Sequence, residues 1–300
     1  MSRPISYQEA TARERLHHLF NAGSFEEFLP PSERVTSPHL PQLNAPVAFD
    51  DGVAIGRALL GGVPVYVAAQ EGAFMGGAVG EVHGAKLVGL LRKAVADKVA
   101  AVVLLVESGG VRLHEANAGL IAVSEVMRAL LDARDAGVAV VVLVGGSNGA
   151  FGGMGIVTRC ANVVIMSEEG RLAMSGPEVI ETANGVEEFD SRDRALVWRT
   201  TGGKHRYLLG DCQRIVADDV AAFRVAAQEA VASLAGGDTA LSLEALEAEQ
   251  KMLSDRLNNY GALHDPIDIW TAMQMPDAAN IPMLDADSFV AAAASHRHGG

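Results

Sequence analysis

Two uninterrupted apolar runs, Val99–Val106 and Val138–Val144, are each followed by a glycine-rich turn and then by apolar residues at helical spacing. Runs of this length suit strands buried on both faces of a sheet. Upstream, residues 53–60 and 63–70 read as two strands split by Gly61-Gly62, as in a hairpin. A helix is predicted near 81–97, with Leu87, Leu91, Ala94 and Lys98 on one face. Another is predicted near 115–136, with Leu120, Val123, Met127 and Leu130 on one face and Gly137 as its stop. The glycine-rich segment 145–155 reads as a turn, followed by a strand near 161–166. Strands alternating with helices predict a mainly parallel sheet with right-handed crossovers.

The flanks follow other patterns. Residues 6–29 read as a helical arm on the spacing of Ala10, Arg13, Leu16, Leu19 and Phe20, with Gly23 marking its stop. Pro30, Pro31, Pro38, Pro41 and Pro46 then predict an extended linker. Past Ile165 the chain turns helical, and Ser175-Gly176-Pro177 reads as a helix start with proline at the first position. Gly236-Gly237-Asp238 breaks the chain before a helix near 242–258, where Leu243, Leu246, Gln250, Leu253 and Leu257 form a narrow stripe suited to packing on another helix. The organisation expected is therefore an arm and linker over 1–46, a main body over 47–235 and a C-terminal helical arm over 236–300.

Composition narrows the function. Of 300 residues 49% are hydrophobic but only 5% aromatic, so Ala, Val, Leu and Gly carry the core. A net charge of −13 argues against a nucleic-acid partner, which needs a basic face. Two cysteines, Cys160 and Cys212, build neither a disulfide framework nor a four-cysteine zinc site. No metal site is expected. The start shows no apolar segment of a signal peptide, and no apolar run is long enough for a membrane span, so the expectation is a cytoplasmic protein without membrane contact.

Glycines just past buried strands leave backbone N–H groups uncovered, and two such turns side by side can aim two N–H groups at one point, the geometry of an oxyanion hole. Gly145-Gly-Ser-Asn-Gly149 also fits the nucleophile-elbow pattern, which keeps a serine hydrolase using Ser147 as a competitor. The surplus of glycines at 152, 153 and 155 favours a turn serine instead. His114-Glu115 lacks the second histidine of a metal motif, and a glutamate at a helix start is favoured for dipole reasons alone. No phosphate-binding glycine loop is present. The basic stretch Arg192–Arg214, which includes Lys204, reads either as a solvated face or as a contact for phosphates or an acidic carrier.

Five segments in order, Thr11–Glu26, Gly76–Lys86, Glu107–Arg112, Gly149–Gly153 and Ser175–Ile180, resemble the carboxyltransferase branch of the crotonase superfamily. Within it the chain is most similar to the β subunits of biotin-independent malonate decarboxylases. The resemblance implies an α/β fold, a crotonase-like (ClpP/crotonase) spiral of ββα units with helical N- and C-terminal arms. It implies decarboxylation of a malonyl thioester on an acyl carrier protein to the acetyl thioester, through an enolate held by backbone N–H groups. One donor is placed in Gly109-Gly110-Val111 and the other in Gly152-Gly153. Arg112, His114, Ser147, Gly149 and Lys204 are the candidates for substrate contact. The implied partners are a crotonase-like γ (co-decarboxylase) subunit, an acyl carrier protein bearing a phosphopantetheine-type prosthetic group, and an acyl carrier protein transferase. No cofactor is expected on this chain itself. A subunit of a biotin-dependent carboxyltransferase and a non-catalytic scaffold of the same fold are the alternatives.

Overall fold

The computed structural model describes residues 4–44, 47 and 49–297. Pro46 of the predicted linker and the first three residues of the start lie outside them. The chain forms α1 (Ala12–Leu19), β1 (Glu26–Phe28), β2 (Val53–Leu60), β3 (Val63–Gln70), α2 (Glu81–Asp97), β4 (Ala101–Val106), α3 (Ala118–Asp135), β5 (Ala139–Val144), α4 (Gly152–Arg159) and β6 (Val163–Ser167). It continues through α5 (Pro177–Asn184), α6 (Arg194–Thr201), α7 (Gly203–Leu208), β7 (Arg214–Val216) and α8 (Val220–Leu234). Three further helices follow, α9 (Leu243–Tyr260), α10 (Pro266–Ala272) and α11 (Ala286–Ala293).

The seven strands form one sheet in sequence order. β1–β2 and β2–β3 are antiparallel, and the pairs from β3 to β7 are parallel. Within the two apolar runs, β4 and β5 are buried on both faces, as their composition predicts. Val102, Leu104 and Val106 of β4, with Val140, Val142 and Val144 of β5, pack towards α2 and α3. Ala101, Val103, Leu105, Ala139, Val141 and Leu143 pack on the opposite face with residues of α1 and α8. Trp270, Ile281 and Phe289 of the C-terminal arm join the first of these clusters.

Two expectations are corrected. The N-terminal arm is helical only over α1, which a Thr11–Glu14 capping box starts and an extended Phe20 ends. Asn21 N–H donates to Leu59 O at 2.8 Å, which draws the chain to the sheet edge, where Glu26–Phe28 becomes a strand. The turn after β5 is also shorter than its glycines suggest. Gly152 opens α4, and Gly153 and Gly155 are helical because the helix packs too closely for side chains there: a Cβ on Gly155 would meet Ala173 O at 2.6 Å. The Leu243–Leu257 stripe is on a helix as predicted, but Leu243, Leu246, Leu253 and Leu257 are exposed. The helix is held instead by polar bonds, Arg159 to Glu249 at 3.1 Å and Arg256 to Asp211 at 2.9 Å.

Candidate oxyanion site

Beyond the C-terminal ends of β4, β5 and β6 the chain makes single-residue bridges, Ser108 with Ala150 and Ala150 with Leu172, so the strand-end turns stay in register. Val79 bridges Val111 on the outer side. At the end of this seam the two glycine turns meet. A Cβ on Gly152 would lie 3.3 Å from the Cα of Gly110. Both have left-handed backbones, Gly110 at φ 137° and Gly152 at φ 57°, which other residues adopt only with strain.

The hydrogen bonds sort the candidate donors. Gly109 N–H donates to Gly76 O at 2.9 Å, and Gly152 N–H to Met174 O at 2.9 Å, so both are engaged within the fold. Gly110 N–H has a longer bond, 3.3 Å, to Ser108 Oγ. Among the described residues no acceptor is found for the N–H of Val111 or of Gly153. Gly153 stands in the first turn of α4, where amides lack intrahelical partners and the helix dipole is positive. The predicted segments therefore each keep one unengaged amide.

The candidate substrate residues separate. Arg112 is buried and held by Asp50, by Glu115 Oε1 at 3.2 Å and by the Ala78 carbonyl at 2.8 Å. Burial alone would raise the Asp50 pKa, but the Arg112 guanidinium, together with the Gly52 N–H, offsets this and keeps it below the usual value. Glu115 Oε2 accepts from the N–H of Glu81, so it caps the start of α2 and not its own helix. With His114, whose side chain is partly exposed, Arg112 and Glu115 line a cavity of about 360 Å³ that Phe74 and Met75 also border. At Gly149 φ is 65°, and a Cβ there would meet Arg171 O at 2.6 Å. Lys204 stands apart from these: it is buried, and its ammonium donates to the Pro282 carbonyl at 2.9 Å.

Ser147 is exposed, and its hydroxyl donates only to the Gln8 carbonyl, at 3.3 Å. No histidine or carboxylate is hydrogen-bonded to it among the described residues. His205, downstream in the chain, is buried; its Nδ1 accepts from Trp270 Nε1 at 3.1 Å, and burial pushes its pKa down to about 3. The basic stretch is largely paired internally, Arg199 with Asp265, Arg206 with Asp211 and Arg214 with Glu229. Sequence reading missed Arg15 and Glu107, a buried ion pair beneath the turns, and Glu168 at the end of β6. Burial raises the Glu168 pKa to about 7, while one of its oxygens accepts from Lys204 N–H at 2.8 Å.

Parallel strands whose ends carry facing glycine turns, with a short helix starting at the second, define an α/β protein of the crotonase type. The chain belongs to the carboxyl transferase domain family, which matches residues 6–234. It is 47% identical over 233 residues, 73% of each chain, to the malonyl-S-ACP:biotin-protein carboxyltransferase of Malonomonas rubra. A chain of a Pseudomonas malonate decarboxylase hetero-tetramer, solved with malonate, superposes with a TM-score of 0.78 at 38% identity, covering 92% of this chain and 95% of that one. A chain of a Pseudomonas malonate decarboxylase hetero-dimer gives 0.66 at 36% identity, covering 83% and 97%. Coverage of 92% exceeds residues 6–234 and so takes in part of the C-terminal arm. Among the described residues no helix is long and apolar enough to cross a membrane.

Proposed function

We propose that this chain is the subunit of a malonate decarboxylase that carries out decarboxylation of a malonyl thioester held on an acyl carrier protein. The observation that carries the reading is the pair of unengaged amides, Val111 and Gly153, on turns that touch at Gly110 and Gly152. When the bond between the α-carbon and the carboxylate breaks, CO2 leaves and the electron pair moves onto the thioester oxygen. The barrier is the accumulation of charge on that oxygen. Two fixed N–H donors and the positive end of α4 stabilise it without reorganising, each donor contributing roughly 2.7–4 kcal/mol. The enolate then takes a proton at carbon to give the acetyl thioester. The missing side chains of Gly110 and Gly152 leave room for a thioester on a phosphopantetheine-type arm of the carrier. No cofactor on this chain itself enters the reaction.

The proposed partners are a crotonase-like γ subunit, the carrier protein and its transferase. Leu113, Leu120, Ile121, Ile156 and Met174, all exposed on elements flanking the two turns, supply an apolar rim for a second chain to cover. The exposed stripe of α9 supplies a further seam. The likeness to the Malonomonas carboxyltransferase favours one other reading, in which the same enolate chemistry delivers the carboxyl group to a biotin protein. The test is CO2 release from malonyl-carrier by the co-expressed complex, with avidin added to sequester biotin. Release undiminished by avidin supports the decarboxylase. Carboxyl transfer that requires a biotin protein and stops with avidin overturns it.

A further inference from the structure

Glu107 is the residue that follows β4, and its side chain is 7% exposed. One carboxylate oxygen pairs with Arg15 of α1. The other accepts from both the backbone N–H and the Nδ2 of Asn148, each at 3.3 Å. The Glu107 N–H donates to Gln70 Oε1 at the end of β3, at 3.0 Å. A side chain on Gly72 or on Gly146 would collide with the carboxylate, so the backbone is closed around it.

Arg15 carries the same network into the N-terminal arm. Its Nε donates to Tyr7 O at 2.8 Å, its guanidinium lies 4.5 Å above the Tyr7 ring, and that ring stacks on Phe223 of α8 at 4.0 Å. The Gln8 carbonyl beside it accepts from Ser147 of the second turn. Glu107–Asn148 is thus the inner link of a seam between the two turns. Ser108 is the next link, through Ser108 N–H to Gly149 O at 2.7 Å and Phe151 N–H to Ser108 O at 2.9 Å. The Gly110–Gly152 approach ends the seam, beside the two unengaged amides.

A buried ion pair is a poor source of stability, because desolvation offsets its attraction and apolar residues of like volume pack as well. What it fixes here is relative position. We propose that Glu107, neutralised by Arg15, is a positioning residue that sets the register between the turns after β4 and β5, and through it the separation of the Val111 and Gly153 amides. The catalytic part of this proposal rests on the decarboxylase reading; the positioning part does not. Small misplacements of this kind are costly, since roughly 1 Å at a reacting centre lowers rates about 10²-fold.

The experiment uses the co-expressed complex carrying Asn148→Ala, Glu107→Gln, Arg15→Met or the Arg15→Met/Glu107→Gln pair. Asn148→Ala removes one donor and leaves the buried pair intact. It is expected to lower kcat about tenfold or more with KM within about twofold and the melting temperature little changed. Amide exchange should quicken over 107–112 and 145–154 and nowhere else. Arg15→Met alone should destabilise by orphaning a buried charge. Adding Glu107→Gln should recover the melting temperature but not kcat. Wild-type kcat in Asn148→Ala together with unchanged exchange in both turns overturns the positioning role. A wild-type complex that releases no CO2 from malonyl-carrier defeats the decarboxylase reading instead, and the exchange measurement still decides the positioning claim.

Discussion

A Cβ on Gly153 would lie 2.5 Å from Cγ1 of Val123, so the glycine that carries one unengaged amide is also the contact through which α4 packs on α3. Gly153→Val is therefore expected to lower stability and turnover together, the overpacking alone costing about 1–3 kcal/mol. Denaturant unfolding checks this, and adding Val123→Ala should restore part of the loss as a coupling between contacting residues. Full additivity of the two changes would contradict the packing.

Arg112 is expected to act through stability. It is buried between Asp50, 62 positions away, and Glu115, and the latter holds the start of α2. Arg112→Met orphans two buried carboxylates and should cost about 3–5 kcal/mol. Urea unfolding measures it. A loss of turnover without loss of stability would return Arg112 to the substrate.

How much of this was legible in the chain depends on the range of the interaction. The hairpin 53–70 and the helix 81–97 stand where spacing and Gly61-Gly62 put them, because period and turn chemistry are local. The β4 and β5 runs announced their double burial by having no polar face. By contrast, Arg15–Glu107 and Asp50–Arg112 join residues 92 and 62 positions apart, and no periodicity marks them. Glu115 sits where a helix-capping glutamate belongs, yet caps a different helix, a choice made by tertiary packing. Glycines 152, 153 and 155 read as a loop for lack of side chains, whereas close packing is why a helix needs them there. Of the candidate site, the sequence named two segments; only the hydrogen bonds separate the engaged amides of Gly109 and Gly152 from those of Val111 and Gly153.

Ser147→Ala should retain most of the turnover, since its hydroxyl reaches only the Gln8 carbonyl. A fluorophosphonate probe should leave the protein unlabelled, as followed by intact mass. Stoichiometric labelling at Ser147 would contradict this.

Glu168 gives a pH dependence with a definite sign. Its pKa is raised by burial from 4.5 to about 7, so the folded state holds a proton that the unfolded state has lost between those values. Stability is then fully present below about pH 4.5 and declines as pH rises towards 7. Glu168→Gln, which can still accept from Lys204 N–H, should be flatter over this window in melts taken at several pH values. Parallel wild-type and variant profiles would rule the assignment out.

The central claim is that the two turns together hold the charge that develops on the thioester oxygen, and Gly152→Ala tests it most directly. The added methyl points at Gly110, 3.3 Å from its Cα, at the junction between the turns and away from the α3 contact that complicates Gly153. The left-handed backbone at Gly152 adds a strain of about 1–2 kcal/mol for alanine. In the co-expressed complex, kcat for CO2 release from malonyl-carrier is predicted to fall about 10²-fold or more, the loss expected for one oxyanion donor, with a cooperative melt only a few degrees lower. A folded Gly152→Ala complex turning over at the wild-type rate would contradict the account.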